Sequence, residues 1–343
     1  MAINKDFSPE KEAAALFLLD QAMGFTYQAA LRAVTILGGA DQLTNGPKTA
    51  QELAKELSVD AQNLHRVMRL LVTRDIFHEV EGQRFALTPA AEFLCTSTSH
   101  SLRDGILMLT DETMWRPLGN LAESIKGHSV FKQIYNMSFF EYWSQPQKRS
   151  PKYDFHTGMS SMSAVENLAL VRSYDFPANT TVVDIAGGLG GLLLQVLQAN
   201  PTLHGILFDQ APVLERHCLG ELGDDSRWKL QPGSFFEKCP PADFYLLKYI
   251  THDWPDEKTA QILGNCRKAM HPNGKVLIME GIIPEGNEPH FGKYMDLILM
   301  GSFDGGRGRT EAELKQVLAK ADLKLNRIIK TGSYLSIAEA VAR

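Results

Sequence analysis

From Thr180 onward, short apolar runs alternate with helical stretches, and few folds accept that rhythm. Thr181–Ile185, His204–Phe208, Trp228–Gln231, Phe244–Leu247 and Lys275–Met279 are the runs, and segments such as Leu192–Ala199 and Lys258–Met270 lie between them. Short apolar runs fit buried strands, and strands separated by helices predict an α/β fold with a doubly wound parallel sheet. The tail departs from the pattern. Leu325–Lys330 and Ser333–Ala340 flank Thr331-Gly332, which predicts two strands joined by a tight turn.

A chain of 343 residues exceeds one ordinary core, so further domains are expected ahead of this sheet. Three segments are read: 1–100, 101–175 and 176–343. In the first, Pro9–Met23 and Thr26–Leu37 are helical and apolar nearly all round, which calls for a second surface to bury them. Thr49 with Glu52 forms a capping box, Ala61–Thr73 a longer helix, and Phe77–Val80 with Arg84–Thr88 a hairpin around Glu81-Gly82. Helix, helix and hairpin make a winged helix. DNA binding is then one reading, on Arg66, Arg69 and Arg74; Asp60, Asp75 and a net charge of −5 oppose it. The other reading, a packing and self-association module without nucleic acid, is preferred. The second segment, helical from Leu102 to Tyr174, is rich in Met and aromatic residues, which serve a core or line a small-molecule pocket.

Four scattered cysteines without a C-x-x-C pair speak against a structural metal site and for a reduced, cytoplasmic protein. Met1–Glu10 carries Lys5, Asp6 and Glu10 and no apolar core, so no signal peptide is expected. No run approaches the roughly 18 apolar residues of a membrane span, and no membrane partner is expected.

Asp184 ends the first run and opens Asp184-Ile-Ala-Gly-Gly-Leu-Gly-Gly191, followed by a helix. Glycines let a ligand approach the backbone, and the helix start offers unpaired N–H groups. Dinucleotide enzymes use the same device, but their fingerprint needs glycine where Leu193 stands. A carboxylate at 184 also suits a cationic ligand better than a pyrophosphate. Asp209 ends the next run, where an acidic side chain accepts ribose hydroxyls; a turn-capping role before Pro212 is the alternative.

Lys248-x-x-x-His252-Asp253-Trp254 follows the fourth run, and Gly305-Gly-Arg-x-Arg-Thr310 lies near the end. With the glycine loop and Asp209, these motifs resemble the small-molecule O-methyltransferases of the plant caffeate, hydroxyindole, and bacterial phenazine and polyketide types. The resemblance covers nearly the whole chain. It implies a class I methyltransferase Rossmann-like sheet with an antiparallel C-terminal strand pair. It also implies an N-terminal, mainly helical winged-helix dimerisation domain, a homodimer, and S-adenosyl-L-methionine as cofactor. Asp184, Ala186, Gly187, Gly188, Gly190, Asp209, Gln210, Ser234, Phe235 and Lys248 would hold the cofactor. His252 would be the general base and Glu280, after the fifth run, would orient its ring. Phe155, His156, Met159, Trp254, Asp296 and Met300 would shape the pocket for a hydroxylated aromatic or polyketide-like acceptor. A non-methylating use of the bound cofactor stays open as an alternative chemistry.

Three positions depart from the family: Ala186 for the first loop glycine, Ser234 for an aspartate, and Gly308 for a glutamate facing the base. The chemistry is consistent. A phenol near pKa 10 and a histidine near 6.5 differ by roughly 5 kcal/mol, so proton removal must accompany attack or be helped by the site. A carboxylate on the imidazole would raise its basicity. A helix-entry role for His252, satisfied by Asp256, is the competing reading.

Overall fold

The computed structural model describes residues 8–145 and 154–343. Lys5, Asp6 and residues 146–153 of the expected helical segment lie outside the described residues. Contacts divide the chain into two units, 8–110 and 111–343 among the described residues. The expected middle segment is therefore not separate: from Asp111 on it belongs with the sheet, because its helices bury their apolar faces there.

In the first unit, α1 (Pro9–Ala22) and α2 (Phe25–Leu37) precede β1 (Lys48–Thr49), α3 (Ala50–Leu57) and α4 (Ala61–Val72). Then come β2 (Phe77–Val80), β3 (Arg84–Leu87), α5 (Pro89–Glu92) and α6 (Arg103–Leu109). The Thr49–Glu52 capping box is present and starts α3. Leu53, Leu64, Met68, Leu71, Phe77 and Phe85 form the core under the wing. The expected hairpin gains a third strand, β1, antiparallel to β3. Helix α1 has no buried residue, and Leu16, Phe17, Leu18 and Leu19 are each at least 60% exposed. On α4 Arg66 bonds to Asn63, and just beyond its end Arg74 lies 4.1 Å over the Tyr27 ring.

The second unit begins with α7 (Glu112–Leu118), α8 (Leu121–Ile125), α9 (Val130–Tyr135), α10 (Phe139–Ser144) and α11 (Phe155–Arg172). The sheet segments follow: β4 (Thr181–Ile185), α12 (Gly191–Ala199), β5 (His204–Asp209), α13 (Ala211–Leu214), β6 (Trp228–Pro232) and β7 (Ala242–Lys248). The remainder is α14 (Asp256–Ala269), β8 (Met270–Glu280), α15 (Phe291–Ser302), α16 (Glu311–Lys320), β9 (Leu323–Lys330) and β10 (Ser336–Ala342). Strand order is β6-β5-β4-β7-β8-β10-β9. The first five strands are parallel, and β10 is antiparallel to both β8 and β9. Val183, Ile185, Tyr245, Leu247, Val276, Ile278 and Ala338 pack in the core beside α14 and α16, as expected for strands covered on both faces.

The order in which strands are added reverses between β4 and β7, and a doubly wound sheet binds its ligand beyond the carboxyl ends of the strands at that switch. Asp184, Asp209, Lys248 and Glu280 all sit at or beside such strand ends. Among the described residues no helix is long and apolar enough to cross a membrane.

Candidate active site

At the switch, the backbone turns sharply after β4. Ala186 takes φ +51°, Gly188 +59° and Gly190 +84°, and Gly190 caps α12. Alanine thus holds a left-handed conformation that glycine adopts without strain. A side chain at 187 would come within 2.6 Å of the Asp184 carboxyl, so only glycine fits over that acid. Asp184 is buried, its Oδ2 has no hydrogen-bond partner among the described residues, and burial pushes its carboxyl up to about 7.

Asp209 ties this turn to the next strand. Its Oδ2 accepts from the Gly188 amide at 2.8 Å and its Oδ1 from the Gln210 amide at 2.7 Å. Burial raises its pKa, and those two amides oppose the rise. Each oxygen keeps a further lone pair for a ligand hydroxyl. Phe235 is held by Asn265, whose Nδ2 donates to its carbonyl at 3.0 Å, and its ring meets Trp254 edge-on at 6.2 Å. Ser234 Oγ accepts from the Phe236 amide.

Lys248 is already engaged by two side chains. Its Nζ lies 2.6 Å from Glu166 Oε2 and 3.0 Å from Asn167 Oδ1, both from α11. Burial lowers the Lys248 pKa while Glu166 and Asp184 hold it up. Glu166 also accepts from the hydroxyls of Tyr249 (2.7 Å) and Tyr334. The groups gathered here are carboxylates, one neutralised amine and backbone amides, a set that suits a cationic ligand carrying hydroxyls and no phosphate.

His252 lies in the turn between β7 and α14 and is buried. The Tyr249 ring stacks on its imidazole, with centroids 5.3 Å apart and planes at 24°. A narrow cavity opens onto it, walled by Tyr249, Phe291, Met295, Leu299 and Gly308. Two corrections follow. Glu280 does not bond the imidazole: its Oε1 accepts from the Thr251 amide (2.7 Å), the Thr251 hydroxyl (2.8 Å) and the His252 amide (3.1 Å). It therefore fixes the backbone that carries the ring. The carboxylate nearest the ring is Asp253, 3.4 Å from Nε2. The second correction concerns basicity. Burial depresses the His252 pKa, Arg309 adds to the fall, and Glu280 and Asp296 oppose it without reversing it. Burial also raises the Asp253 pKa, with Glu280 adding to the rise, so burial disfavours the charged form of both ring and acid.

Asp256 does not satisfy His252, which closes the helix-entry reading. It pairs with Arg309 at 2.9 Å instead. Arg309 also donates to the carbonyls of Thr251 and Trp254, each at 2.8 Å, and the Arg307 amide donates to the His252 carbonyl at 2.8 Å. The Gly-Gly-Arg-x-Arg-Thr motif is thus a clamp on the histidine turn. Sequence reasoning noted the motif without its target, and it missed Glu166, Asn167, Tyr249 and Tyr334 entirely.

The expected acceptor residues are only partly gathered. Beyond its first turn, α15 lines the cavity with Met295 and Leu299, each one position, or about 100°, before the expected Asp296 and Met300. Asp296 instead accepts from the Gly308 amide at 2.7 Å. Trp254 stacks on Phe140 (6.0 Å, 20°), and Phe155 packs on Phe139 and Trp143. Met159 is half-buried on α11. The His156 ring meets Phe155 edge-on at 5.8 Å and is not part of the cavity wall.

A model of the O-methyltransferase domain matches residues 115–324, and one of the O-methyltransferase dimerisation domain matches residues 19–97. The phenazine O-methyltransferase of Lysobacter antibioticus is 35% identical over 94% of this chain and 95% of its own length. A solved methyltransferase of calicheamicin biosynthesis, with S-adenosylhomocysteine bound, superposes with a TM-score of 0.89 at 40% identity, covering 98% of this chain and 100% of that one. An O-methyltransferase of neocarzinostatin biosynthesis, solved with S-adenosylmethionine and 2-hydroxy-5-methyl naphthoic acid, gives 0.74 at 30% identity over 93% and 96%.

Proposed function

This chain belongs to the O-methyltransferase family, and on that premise we propose how its own residues move a methyl group onto a hydroxylated aromatic or polyketide-like metabolite. The enzyme is an S-adenosylmethionine-dependent O-methyltransferase with a class I fold. The bound cofactor supplies an electrophilic methyl on its sulfonium. Asp209 would take the ribose hydroxyls, Phe235 would pack on the adenine, and the turn Asp184–Gly191 would hold the amino-acid end. Trp254, Asp296 and Met300, with Met295 and Leu299, shape the acceptor side.

The observation that carries this reading is His252: buried, its pKa lowered by burial, and lining a narrow cavity beside the switch of the sheet. An imidazole held neutral can accept the acceptor's proton through its free nitrogen. Its lowered pKa widens the gap to a phenol, so proton transfer is concerted with attack and the dominant contribution is alignment. Glu280 and Arg309 supply that alignment by fixing the turn from two sides. The names of the relatives, which include a phenazine and a naphthoate enzyme, support an aromatic acceptor.

The exposed apolar face of α1 and the match to the dimerisation domain support a homodimer, and a net charge of −5 supports a chain without a nucleic-acid role. Four free cysteines support a cytoplasmic setting. The test is transfer of label from methyl-labelled cofactor to phenolic acceptors. His252→Ala should cut turnover about 10²- to 10⁴-fold with cofactor affinity nearly unchanged. Full turnover in that variant would sink the acid–base mechanism.

A further inference from the structure

Two charges are buried together where the cofactor side of the site meets α11, and neither is explained by the chemistry above. Lys248 and Glu166 have side chains only 7% and 4% exposed, and they are 2.6 Å apart. Asn167, 1% exposed, bridges from Lys248 (3.0 Å) to the glycine turn, where its Nδ2 stands 3.9 Å from the place a side chain on Gly191 would occupy. Lys248 also acts directly on Asp184. The ammonium is therefore within one side chain of the turn that holds the cofactor.

Its presence there is an electrostatic problem. S-adenosylmethionine carries a sulfonium, an ammonium and a carboxylate, a net charge of +1; its demethylated product lacks the sulfonium and is net neutral. A bare buried ammonium beside the turn would repel the substrate form and not the product form. An enzyme so built would be held by its own product. Glu166 sits where it removes that repulsion, and it is itself fixed by the Tyr249 and Tyr334 hydroxyls, so it cannot swing away.

We propose that Glu166 is the counter-ion that cancels Lys248 at the cofactor site, and that this pairing sets the preference for S-adenosylmethionine over S-adenosylhomocysteine. The proposal rests on the cofactor reading given above. It makes Glu166 a positioning residue, acting on the ligand through Lys248. A unit charge within about 10 Å, at an effective dielectric of about 20, changes affinity for a singly charged ligand by roughly tenfold.

The experiment is calorimetric titration of both ligands into the full-length protein and its variants on both sides of neutrality, Glu166→Gln being compared with wild type on the acid side, which favours the unpaired ammonium, and Lys248→Met on the basic side, which favours the unpaired carboxylate. Glu166→Gln retains an acceptor for both tyrosines and loses the charge. It should weaken S-adenosylmethionine roughly tenfold and S-adenosylhomocysteine by less than about twofold. Lys248→Met should shift the ratio of the two affinities the opposite way. Glu166→Gln combined with Lys248→Met should return the ratio to its wild-type value even where both affinities fall. Should Glu166→Gln fail to fold, the sign of the Lys248→Met shift decides alone. Equal weakening of both ligands in the single variants would overturn the proposal and leave the methyltransferase reading intact. Failure of the wild-type protein to bind either ligand would overturn both.

Discussion

Replacing Glu280 separates its two effects, on the backbone and on the field at His252. Glu280→Ala leaves the buried amides of Thr251 and His252 and the Thr251 hydroxyl without their acceptor. A buried donor left unpaired costs about 1–3 kcal/mol, so the two amides together cost about 2–6 kcal/mol. Glu280→Gln behaves differently. Its amide oxygen still accepts from both N–H groups, and its NH₂ can donate to the Thr251 hydroxyl, so stability falls by about 1 kcal/mol. What Gln removes is charge. Glu280 is the leading influence holding the His252 pKa up against burial, so its neutralisation lowers that pKa further. The acid limb of the pH–rate profile, where protonation of the base silences it, should then move to lower pH, with a plateau reduced by about tenfold or less. Chemical denaturation and single-turnover rates across pH measure the two effects independently. An Ala variant as stable as wild type would refute the backbone role. A Gln variant with an unmoved or raised acid limb would refute the electrostatic one.

Asp184 predicts a pH dependence of cofactor binding. Its carboxyl is held up at about 7 by burial, so its protonated form contributes stability that is complete below the unfolded pKa and lost as pH rises through about 7. A cationic ligand favours the ionised form, so S-adenosylmethionine affinity should climb between about pH 6 and 8, and Asp184→Asn should flatten that slope in titration calorimetry. Gly308→Glu, which restores the family's usual residue, should destabilise by about 1–3 kcal/mol, because its Cβ would fall 2.6 Å from Ile283 Cδ1 and 3.4 Å from Asp296 Cβ. Thermal denaturation should show Ile283→Ala relieving the penalty; additive losses would contradict the crowding. Phe17→Asp should yield a monomer by light scattering, since Phe17 is 64% exposed on α1; an intact dimer would place the interface elsewhere.

The sheet was legible because its strands are runs that only burial on two faces explains. What escaped reading was short or ambiguous. Strand β1 has two residues and no periodicity to detect. The start of β8, Met270-His-Pro-Asn-Gly274, reads as a turn from its composition, yet it is strand, its pairing with β7 shifted between Ala242 and Phe244. In the site, motifs disclosed which residues matter and not what they touch. Glu280 was expected on the imidazole and is found on the backbone, a difference of a few ångströms that no spacing encodes. Glu166 carries no motif at all: it is a lone acid in α11, and its partners Tyr249 and Tyr334 are 83 and 168 residues away along the chain.

The position of β10 also bears on how such a chain is made. It lies between β8 and β9, so β9 joins the sheet only through a strand that is synthesised after it. Until Ser336–Ala342 has left the ribosome, β8 presents an open edge and β9 has no place to pair. The nascent sheet is then exposed to wrong pairings along its β8 side, and the order of emergence runs against the order in space. A chain cut between Lys330 and Ser336 would carry the cofactor turn and the clamped histidine turn on a sheet that cannot close.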